Sequence, residues 1–565
     1  MTSPLLRLED VSVAFDAPAA SEVSYSLAAG EVLAVVGESG SGKTVTAMSL
    51  LGLLPGTATV TGRALLAGRD LFTLSAGDLR AVRGGEIGMV FQEPMTALNP
   101  VFRIGDQLAE VVRAHGGHTA AQAKQRTVEL LSLVGLPSTA RRKYPHELSG
   151  GQLQRVVIAM AVANEPSLLI ADEPTTALDV TVQAEILELL RDLRGRLDAA
   201  ILLITHDMGV VADLADRVVV MHDGRVVEQG PVAEIFVAPQ HEYTRSLLDA
   251  VVSLSTPPAA DLPAAVDVAP GVVARGAHVA VTSPSLSAPD QPGADPVLAI
   301  TDLSVAYGRF RAVEGVGLHV DRGEVLGLVG ESGSGKSSIA TAITGLVAPS
   351  GGTIGVAGQN LARLRGKALK RARGRIGMVF QDPASSLNPR ATIARSIASP
   401  LLLHGPLRGP ALGRRVDELL DAVRLSPSLR ERYPHELSGG QRQRVGIARA
   451  IALDPDLLIA DEPTSALDVS VQARVLDLFR SLQTELGFAC LFISHDLAVV
   501  EQLADRVAVL YRGRVVETGP ARDVLTEPLH PYTRRLLAAA PVADPVRQRE
   551  RRAAWLALER TAGDN

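Results

Sequence analysis

Two nearly identical glycine-rich octapeptides could bind phosphate, GESGSGKT at 37–44 and GESGSGKS at 330–337. Both fit the spacing G-x-x-x-x-G-K-[ST], in which backbone N–H groups converge on phosphate oxygens and the following helix directs its positive end at them. The lysine adds a cation for the outer phosphates, and the hydroxyl residue can coordinate Mg²⁺. The candidate phosphate-binding residues are Gly37, Ser39, Gly40, Ser41, Gly42, Lys43 and Thr44, and Gly330, Ser332, Gly333, Ser334, Gly335, Lys336 and Ser337.

Two acidic residues follow a buried strand pattern in both halves of the chain. The segment LLIADE ends in Asp172 and Glu173, and its second occurrence ends in Asp461 and Glu462. Beside a phosphate loop, the aspartate can reach a Mg²⁺ shell and the glutamate can orient or deprotonate the attacking water. Adjacent acids can also form a solvated turn, but the upstream glycine loop favours the catalytic interpretation.

The octapeptides belong to a long internal repeat. Lys43 and Lys336 are 293 positions apart, and from Gln92 and Gln381 onward matching residues are 289 apart. A repeat of this length indicates two domains of one fold rather than a short-period solenoid. In each copy, short apolar runs such as EVLAVV, SLLIAD and AAILLI predict a mainly parallel sheet covered by helices. The run RVVVMHDGRVVEQG predicts a hairpin.

Composition changes along the chain predict the domain boundaries. We expect domains at 1–252 and 295–541. The linker between them, 253–294, is rich in Pro, Ala, Ser and Gly and predicts an extended, partly disordered segment. The tail, 542–565, predicts a solvated segment that can form a short charged helix.

The overall composition favours a soluble cytosolic protein. The chain has 565 residues and a formal net charge of -6, which provides no bulk attraction to nucleic acid, so no nucleic-acid partner is expected. Its single cysteine, Cys490, permits no intramolecular disulfide and lies in the apolar run ACLFIS, which predicts a small buried side chain. No apolar stretch is long enough to cross a bilayer, and acidic residues come too early for a secretory signal. We expect any membrane connection to pass through partner chains.

The pentapeptide LSGGQ occurs at 148–152 and again at 437–441. This pentapeptide is the signature of the ABC-type ATPases, which the chain resembles. The resemblance covers nearly the whole chain outside the linker and the tail. The resemblance implies an α/β fold of two tandem P-loop NTPase (ABC-type) nucleotide-binding domains, each with a mainly parallel sheet, an antiparallel β part and a helical subdomain. The signature residues are Ser149, Gly150, Gly151 and Gln152, and Ser438, Gly439, Gly440 and Gln441.

The remaining motifs of the family also occur twice. The Q-loop glutamine matches Gln92 and Gln381, and the D-loop aspartate matches Asp179 and Asp468. The switch histidine matches His206 and His495, and the adenine-stacking aromatic matches Phe15 and Tyr307. The resemblance implies ATP and Mg²⁺ as cofactors, with the glutamines, the loop hydroxyls and the aspartates around the metal. It also makes each histidine a catalytic partner of the glutamate 33 residues before it. Phe15 retains an aromatic face but lacks the hydroxyl of Tyr307. Because this difference does not touch the phosphate chemistry, we expect two competent sites.

The same resemblance explains why one chain carries both copies. A helix that begins with Ser-Gly-Gly offers a hydroxyl and N–H groups to an anion. In the family, two domains pair head to tail, and each ATP lies between one domain's glycine loop and the other domain's signature. The linker would keep the partner domain at high local concentration. ATP would favour the closed pair, and hydrolysis would reopen it.

Further segments resemble the oligopeptide/dipeptide importer branch, namely FQEPMTALNP, YPHELSGG and the endings PQHEYTRSLLDAVV and PLHPYTRRLLAAAP. In that branch the ATPases bind two transmembrane permease subunits, fed by an extracytoplasmic solute-binding protein. This implies a peripheral position on the cytoplasmic face of the membrane, with 92–145 and 381–434 against the permeases. Some members hold an iron–sulfur cluster in the extension, but no cysteine lies there in this chain, and we predict no cluster.

Three functions remain open from the sequence. The favoured one is the ATP-hydrolysing subunit of an importer of short peptides, dipeptides or oligopeptides. The second is the ATPase of a nickel or other metal-chelate or solute importer of the same branch. The third is a non-transport tandem ABC protein that acts on the ribosome or DNA, which the proline-rich linker and the lack of a Cys/His ligand cluster disfavour.

Overall fold

Each copy of the repeat builds its own α/β unit. The computed structural model describes residues 4–115, 117–176, 178–251, 254, 273–274, 296–382, 386–465 and 467–563. The chain divides into two compact units, one of Met1–Val251 with Pro541–Glu550 and one of Val252–Ala540 with Arg551–Asn565. Both units combine a mainly parallel sheet, an antiparallel sheet and a group of helices, so the predicted α/β fold class is confirmed.

The strands of the first unit form two sheets. They are β1 (Leu6–Ala14), β2 (Pro18–Leu27), β3 (Val32–Val36), β4 (Thr59–Leu66), β5 (Arg69–Asp70), β6 (Ile87–Val90), β7 (Leu168–Asp172), β8 (Ala200–Ile204), β9 (Arg217–His222) and β10 (Arg225–Pro231). The larger sheet has the order β10-β9-β3-β8-β7-β6, parallel except for β10 at its edge. The smaller sheet is antiparallel with the order β2-β1-β4-β5.

Strand β3 lies inside the larger sheet and shows why its sequence is apolar throughout. Val32, Ala34 and Val36 pack into the core formed with the helices. Leu33 and Val35 pack on the opposite face against the antiparallel sheet. Because both faces of the strand are covered, the sequence VLAVV contains no alternating polar residue.

The helices of the first unit cover the sheet and supply the motif-bearing loops. They are α1 (Lys43–Leu50), α2 (Ala76–Val82), α3 (Pro94–Ala97), α4 (Ile104–Ala114), α5 (Ala120–Leu133), α6 (Gly150–Ala161), α7 (Val180–Leu197), α8 (Met208–Leu214), α9 (Val232–Val237) and α10 (Glu242–Asp249). Helix α1 directly follows β3 through the first octapeptide, and α6 begins within the LSGGQ segment. The glycine loop, the acidic pair and the switch histidine all follow parallel strands, whose carboxyl ends share one edge of the sheet.

The second unit repeats this arrangement. Its strands are β11 (Val273–Ala274), β12 (Leu298–Tyr307), β13 (Phe310–Val320), β14 (Val325–Val329), β15 (Gly351–Val356), β16 (Gln359–Asn360), β17 (Ile376–Val379), β18 (Leu457–Asp461), β19 (Ala489–Ile493), β20 (Arg506–Tyr511) and β21 (Arg514–Pro520). Its sheets have the orders β11-β21-β20-β14-β19-β18-β17 and β13-β12-β15-β16.

The second unit has a matching group of α-helices, and one further α-helix lies in the predicted tail. They are α11 (Lys336–Thr344), α12 (Gly366–Arg373), α13 (Ile393–His404), α14 (Gly409–Ala422), α15 (Gly439–Ile451), α16 (Val469–Leu486), α17 (Leu497–Leu503), α18 (Ala521–Thr526), α19 (Pro531–Ala539) and α20 (Pro545–Gly563). In the part of the chain that the structure describes, no helix is both long enough and apolar enough to span a bilayer.

Several local predictions are confirmed. The buried strands appear as β3, β7 and β8, and β9 pairs antiparallel with β10 across the turn at 223–224. Cys490 is fully buried in β19. The predicted linker 253–294 lies almost entirely outside the described residues. Its described part includes β11, which pairs parallel with β21.

The prediction of a solvated tail is wrong. Helix α20 occupies most of it, and Trp555 in this helix is only 5% exposed. The guanidinium of Arg551 donates to the carbonyl of Leu537 at 3.0 Å, and Arg535 pairs with Glu559 at 2.6 Å. The charged residues that made the tail look solvated therefore carry part of its packing, which a composition-based prediction cannot detect.

Candidate functional site

The first octapeptide forms a tight loop between β3 and α1. Gly37 adopts a φ of 151°, and a Cβ there would overlap the carbonyl oxygen of Met221. Only glycine allows this approach of two backbones. Ser41 is buried and its N–H donates to the carbonyl of Glu38 at 3.1 Å, whereas Ser39 is exposed. The second loop has the same features, with the carbonyl oxygen of Leu510 against its first glycine.

The loop lysine is held within its own octapeptide. Nζ of Lys43 donates to the carbonyls of Gly37 and Glu38 at 2.7 and 2.8 Å. Nζ of Lys336 makes the equivalent bonds in the second unit at 2.6 and 2.9 Å. Both side chains are more than 90% buried, so each ammonium group lies inside the loop that would surround a phosphate.

A hydroxyl and a carboxylate converge next to each loop. Oγ1 of Thr44 donates to Oδ1 of Asp172 at 3.1 Å, and Oγ of Ser337 donates to Oδ1 of Asp461 at 3.3 Å. Burial raises the pKa of Asp172 to about 6. The hydrogen bond from Thr44 lowers this pKa, and the negative charge of Glu173 raises it further. Burial raises the pKa of Asp461 in the same direction. A nearby cation would offset the cost of these buried charges.

These oxygens fit a Mg²⁺ ion. Mg²⁺ is commonly bound through one or two carboxylates together with substrate phosphates and water. Among the described residues, no group of three or more His, Cys, Asp or Glu side chains could hold a metal by itself. In the first unit, Thr44 and Asp172 would supply one oxygen each to such an ion. Ser337 and Asp461 would do the same in the second unit, and the phosphates would supply further oxygens.

The predicted general base lies at the centre of a hydrogen-bonded cluster in the first unit. Oε2 of Glu173 accepts from Nε2 of Gln92 at 2.8 Å and from Oγ1 of Thr176 at 2.9 Å. Nδ1 of His206 lies 3.0 Å from Oε1. Burial opposes the charge of Glu173, but His206, Thr176 and Lys43 together outweigh it and lower the pKa of that carboxyl. The group is thus held as a carboxylate, the form that can accept a proton from water.

The second unit brings the matching residues together. Nε2 of Gln381 donates to Oε2 of Glu462 at 2.8 Å, and Nδ1 of His495 lies 3.2 Å from the same oxygen. Burial opposes the charge of Glu462, and His495, Lys336 and Gln381 lower its pKa despite it. Glu173 and Glu462 both have left-handed backbone conformations, with φ of 48° and 47°, which few non-glycine residues adopt. Such backbone strain is concentrated at functional sites.

The signature residues begin a helix in each unit. Oγ of Ser149 accepts from the N–H of Gln152 at 3.3 Å, and Oε1 of Gln152 accepts from the N–H of Ser149 at 3.3 Å, a reciprocal capping box. Ser438 and Gln441 repeat it. A Cβ at Gly151 would overlap Cγ1 of Val182, so this glycine lets α6 approach α7 closely. Gly150, Gly439 and Gly440 occupy the same helix starts.

The last two predicted motifs lie at element ends. Asp179 and Asp468 are the N-cap residues of α7 and α16. Tyr307 is the last residue of β12, is 48% exposed, and its hydroxyl donates to Oγ of Ser338 at 3.4 Å, next to the second octapeptide. Phe15 follows β1 and is 37% exposed. Both rings therefore remain accessible to a ligand.

Sequence reasoning missed Thr176 and two tyrosines. Thr176 adds a donor to the glutamate cluster, and Ser465 stands at the matching position of the second copy. The hydroxyls of Tyr243 and Tyr532 accept hydrogen bonds from the backbone of the octapeptides. Their recurrence 289 positions apart was a usable signal, because both stand in the repeated run H-x-Y-T-R.

Comparison with known proteins yields three kinds of similarity. The family model of the ABC transporter matches 20–176 and 313–465, and the model of the oligopeptide/dipeptide transporter C-terminal region matches 227–269 and 516–562. The glutathione import ATP-binding proteins GsiA of Pectobacterium atrosepticum and of Escherichia coli K12 are each 46% identical to the chain. Both alignments cover 97% of this chain and 91% of the relative.

Among solved structures, CbiO1 from Clostridium perfringens, part of an ABC transporter complex, is 31% identical with a TM-score of 0.37, covering 41% of this chain and 90% of its own. A dimeric ATP-binding cassette in a post-hydrolysis state, bound to ADP and Pi, is also 31% identical with a TM-score of 0.37, covering 40% of this chain and 99% of its own. The two family models and the near full-length relatives agree with the motifs found here. The chain belongs to the ABC transporter family, as an ATP-hydrolysing protein with two ATP-binding domains and the C-terminal regions of the oligopeptide/dipeptide transporter group.

Proposed function

We propose that the chain powers the import of a short peptide, with glutathione as the first candidate. The observation that carries this proposal is the 46% identity over nearly the full length to proteins named for glutathione import. The match of both C-terminal regions to the oligopeptide/dipeptide transporter model supports a peptide cargo. Glutathione is a tripeptide, so the two observations agree on the chemical class.

The proposed hydrolytic step uses the same residues in each domain. Glu173 is the base that takes a proton from the attacking water, and Gln92 and His206 orient its two carboxylate oxygens. Lys43 provides a positive charge for the outer phosphates. When bound, Mg²⁺ would be held by Thr44 and Asp172, with Gln92 as a further candidate ligand, and it would neutralise phosphate charge. In the second domain the corresponding roles belong to Glu462, Gln381, His495, Lys336, Ser337 and Asp461.

The head-to-tail pairing of the two domains remains part of this proposal. One ATP would be bound by Lys43 and its loop together with the signature Ser438–Gln441. The other would be bound by Lys336 and its loop together with Ser149–Gln152. The positions of Ser149 and Ser438 at the starts of α6 and α15 support this role, because the positive end of a helix suits an anion. The D-loop residues Asp179 and Asp468 would lie at the same seam.

We further propose that the chain binds two transmembrane permeases at the cytoplasmic face of the membrane, and through them a solute-binding protein. The region after the Q-loop glutamine exposes Met95, Val101 and Phe102, whose apolar side chains suit a protein contact. Their position next to Gln92 would connect permease movement to the Glu173 cluster.

Uptake by a deletion strain tests the cargo. We expect loss of uptake of radiolabelled glutathione, restored by the parent gene and not by a variant carrying Lys43→Ala and Lys336→Ala. A labelled dipeptide and labelled nickel are measured in parallel. If glutathione uptake is unchanged and the dipeptide or nickel uptake is lost, the glutathione assignment is wrong. If none of the three changes, the import proposal is wrong for these cargoes.

A further inference from the structure

A tyrosine of the C-terminal extension contacts the phosphate-binding loop in both domains. Tyr243 lies on α10, and its hydroxyl accepts a hydrogen bond from the N–H of Glu38 at 3.1 Å. Tyr532 lies on α19, and its hydroxyl accepts from the N–H of Glu331 at 3.0 Å. Glu38 and Glu331 are the second residues of the two octapeptides. The same contact thus occurs twice, between segments more than 200 residues apart in the sequence.

The contact involves the peptide group that also binds the loop lysine. The carbonyl of Gly37 and the N–H of Glu38 belong to one peptide unit. The carbonyl accepts from Nζ of Lys43 at 2.7 Å while the N–H donates to Tyr243. A planar peptide held at both ends cannot rotate without breaking one bond. The tyrosine hydroxyl therefore sets the orientation of the peptide group whose carbonyl binds Nζ of Lys43.

The same peptide unit is held at both ends in the second domain. The carbonyl of Gly330 accepts from Nζ of Lys336 at 2.6 Å, and the N–H of Glu331 donates to Tyr532. Tyr532 is 6% exposed. This burial leaves its ring little freedom to move away from the loop.

The extension is built to hold each tyrosine in place. The ring of Tyr243 stacks on His222 with 3.9 Å between centroids, and the ring of Tyr532 lies 4.1 Å from that of Tyr511. Nδ1 of His241 accepts from the N–H of Tyr243 at 3.1 Å and caps α10. The carboxylate of Glu228 in β10 in turn accepts from the N–H of His241 at 3.1 Å.

The loop before α19 is held in the same way. Nδ1 of His530 accepts from the N–H of Tyr532 at 3.2 Å, and Glu517 accepts from the N–H groups of Leu529 and His530 at 2.8 and 3.1 Å. Ring contacts and capping in both domains thus place a hydroxyl at a defined point on the loop.

We propose that Tyr243 and Tyr532 are positioning residues for ATP, through which the C-terminal extension of each domain sets the affinity of that domain's phosphate-binding loop. The inference rests on the assignment of the two octapeptides as ATP sites. It gives the extension a role at the nucleotide, in addition to any contact with partner chains.

Nucleotide binding to the full-length chain tests this role one site at a time. Tyr243→Phe keeps the stacked ring and removes the hydroxyl, and it is made in a Lys336→Ala background so that the first loop dominates binding. We expect the Kd of a fluorescent ATP analogue to rise about 3- to 10-fold, the effect of one lost hydrogen bond. Hydrogen exchange of the peptide that contains Glu38 should become faster. Tyr532→Phe in a Lys43→Ala background should raise the Kd of the second loop by a similar factor.

A second variant separates positioning from general stability. Leu247→Ala removes a buried apolar side chain from the same helix α10, so it should lower the melting temperature without raising the Kd. A Kd within twofold of the background for both tyrosine variants, or unchanged exchange at Glu38, would overturn the proposal. An equal rise in Kd for Leu247→Ala would also overturn it.

If the chain with both Lys43→Ala and Lys336→Ala binds the analogue as tightly as the parent, the ATP-site assignment itself fails. That result is distinct from a failure of the tyrosine role, because it does not depend on either hydroxyl.

Discussion

Glu173→Gln combined with Glu462→Gln should abolish ATP turnover while leaving the fold and nucleotide binding intact. The amide is nearly isosteric with the carboxylate, and the cluster geometry accommodates it. The amide oxygen can replace Oε2, which accepts from Gln92 and Thr176. The NH₂ group then faces Nδ1 of His206 and can donate to it in the tautomer that carries its proton on Nε2. All three contacts of Glu173 can persist, so we expect little change in the free energy of unfolding.

Catalysis should respond very differently, because an amide cannot take a proton from water. A positioned general base contributes about 10²–10⁴ in rate. A cost of about 3 kcal/mol or more per site corresponds to at least about 100-fold. The double variant should therefore retain under about 1% of the parent rate. A single variant should retain about half if the two sites turn over independently, and much less if closure couples them.

Phosphate release from the purified full-length chain measures the rate, and retained radiolabelled ATP measures binding. Asp223→Asn is a matched control, because it also removes one carboxylate but lies at the exposed tip of the β9–β10 hairpin, where the side chain is 90% exposed. It should keep the parent rate. A double variant that hydrolyses ATP at more than about a tenth of the parent rate, with an unchanged melting temperature, would refute the assignment of these bases.

Three further experiments test the packing at Gly151, the role of Lys43 and the burial of Cys490. Gly151→Ala should lower the melting temperature, because its Cβ overlaps Val182 and such overpacking costs about 1–3 kcal/mol. Gly150→Ala, whose Cβ would lie 3.8 Å from its nearest neighbour, is the control, and equal melting temperatures for the two variants would contradict the packing argument. Lys43→Ala should reduce photo-crosslinking of azido-ATP to the first octapeptide while the second remains labelled; equal loss at both would contradict separate pockets. Cys490 is fully buried, and burial raises the pKa of its thiol, so a thiol reagent should react only after unfolding; stoichiometric reaction in native buffer would contradict this burial.

The features predicted correctly from the sequence are those that short segments encode. A strand buried on both faces reads as a continuous apolar run, and β3, β7 and β8 appear where such runs stand. The Asp-Gly pair of the β9–β10 hairpin is likewise a local signal. The roles of the glycine loop and the acidic pair stay predictions. They could be made because this chemistry needs particular residue types at particular spacings, and the repeat doubled each signal.

The features that sequence reasoning missed depend on long-range contacts. Nothing local to Tyr243 indicates that its hydroxyl reaches Glu38, because this pairing arises only when the fold brings α10 to the loop after β3. The prediction for the tail failed for the same reason. The charge of Arg551 predicts an exposed side chain, yet its guanidinium donates to the carbonyl of Leu537 near the end of α19. Residue type predicts the preferred surroundings of a side chain, and only the fold supplies the partner that overrides this preference.

The two copies are closely alike around the predicted phosphate chemistry and differ at a few other contacts. The distance from loop hydroxyl to aspartate is 3.1 Å in one copy and 3.3 Å in the other, and the glutamine lies 2.8 Å from the glutamate in both. The clusters differ in one contact, because Thr176 donates to the carboxylate of Glu173 whereas Ser465 donates to the carbonyl of Glu462. The copies also differ at the exposed aromatic, where the hydroxyl of Tyr307 reaches Ser338 and Phe15 has no equivalent group. The difference at the exposed aromatic would alter how tightly each site holds ATP, while the glutamine contact shared by both glutamates would support hydrolysis at each site. Two sites of unequal affinity would fill in sequence, and closure of the proposed head-to-tail pair would then depend on the weaker site.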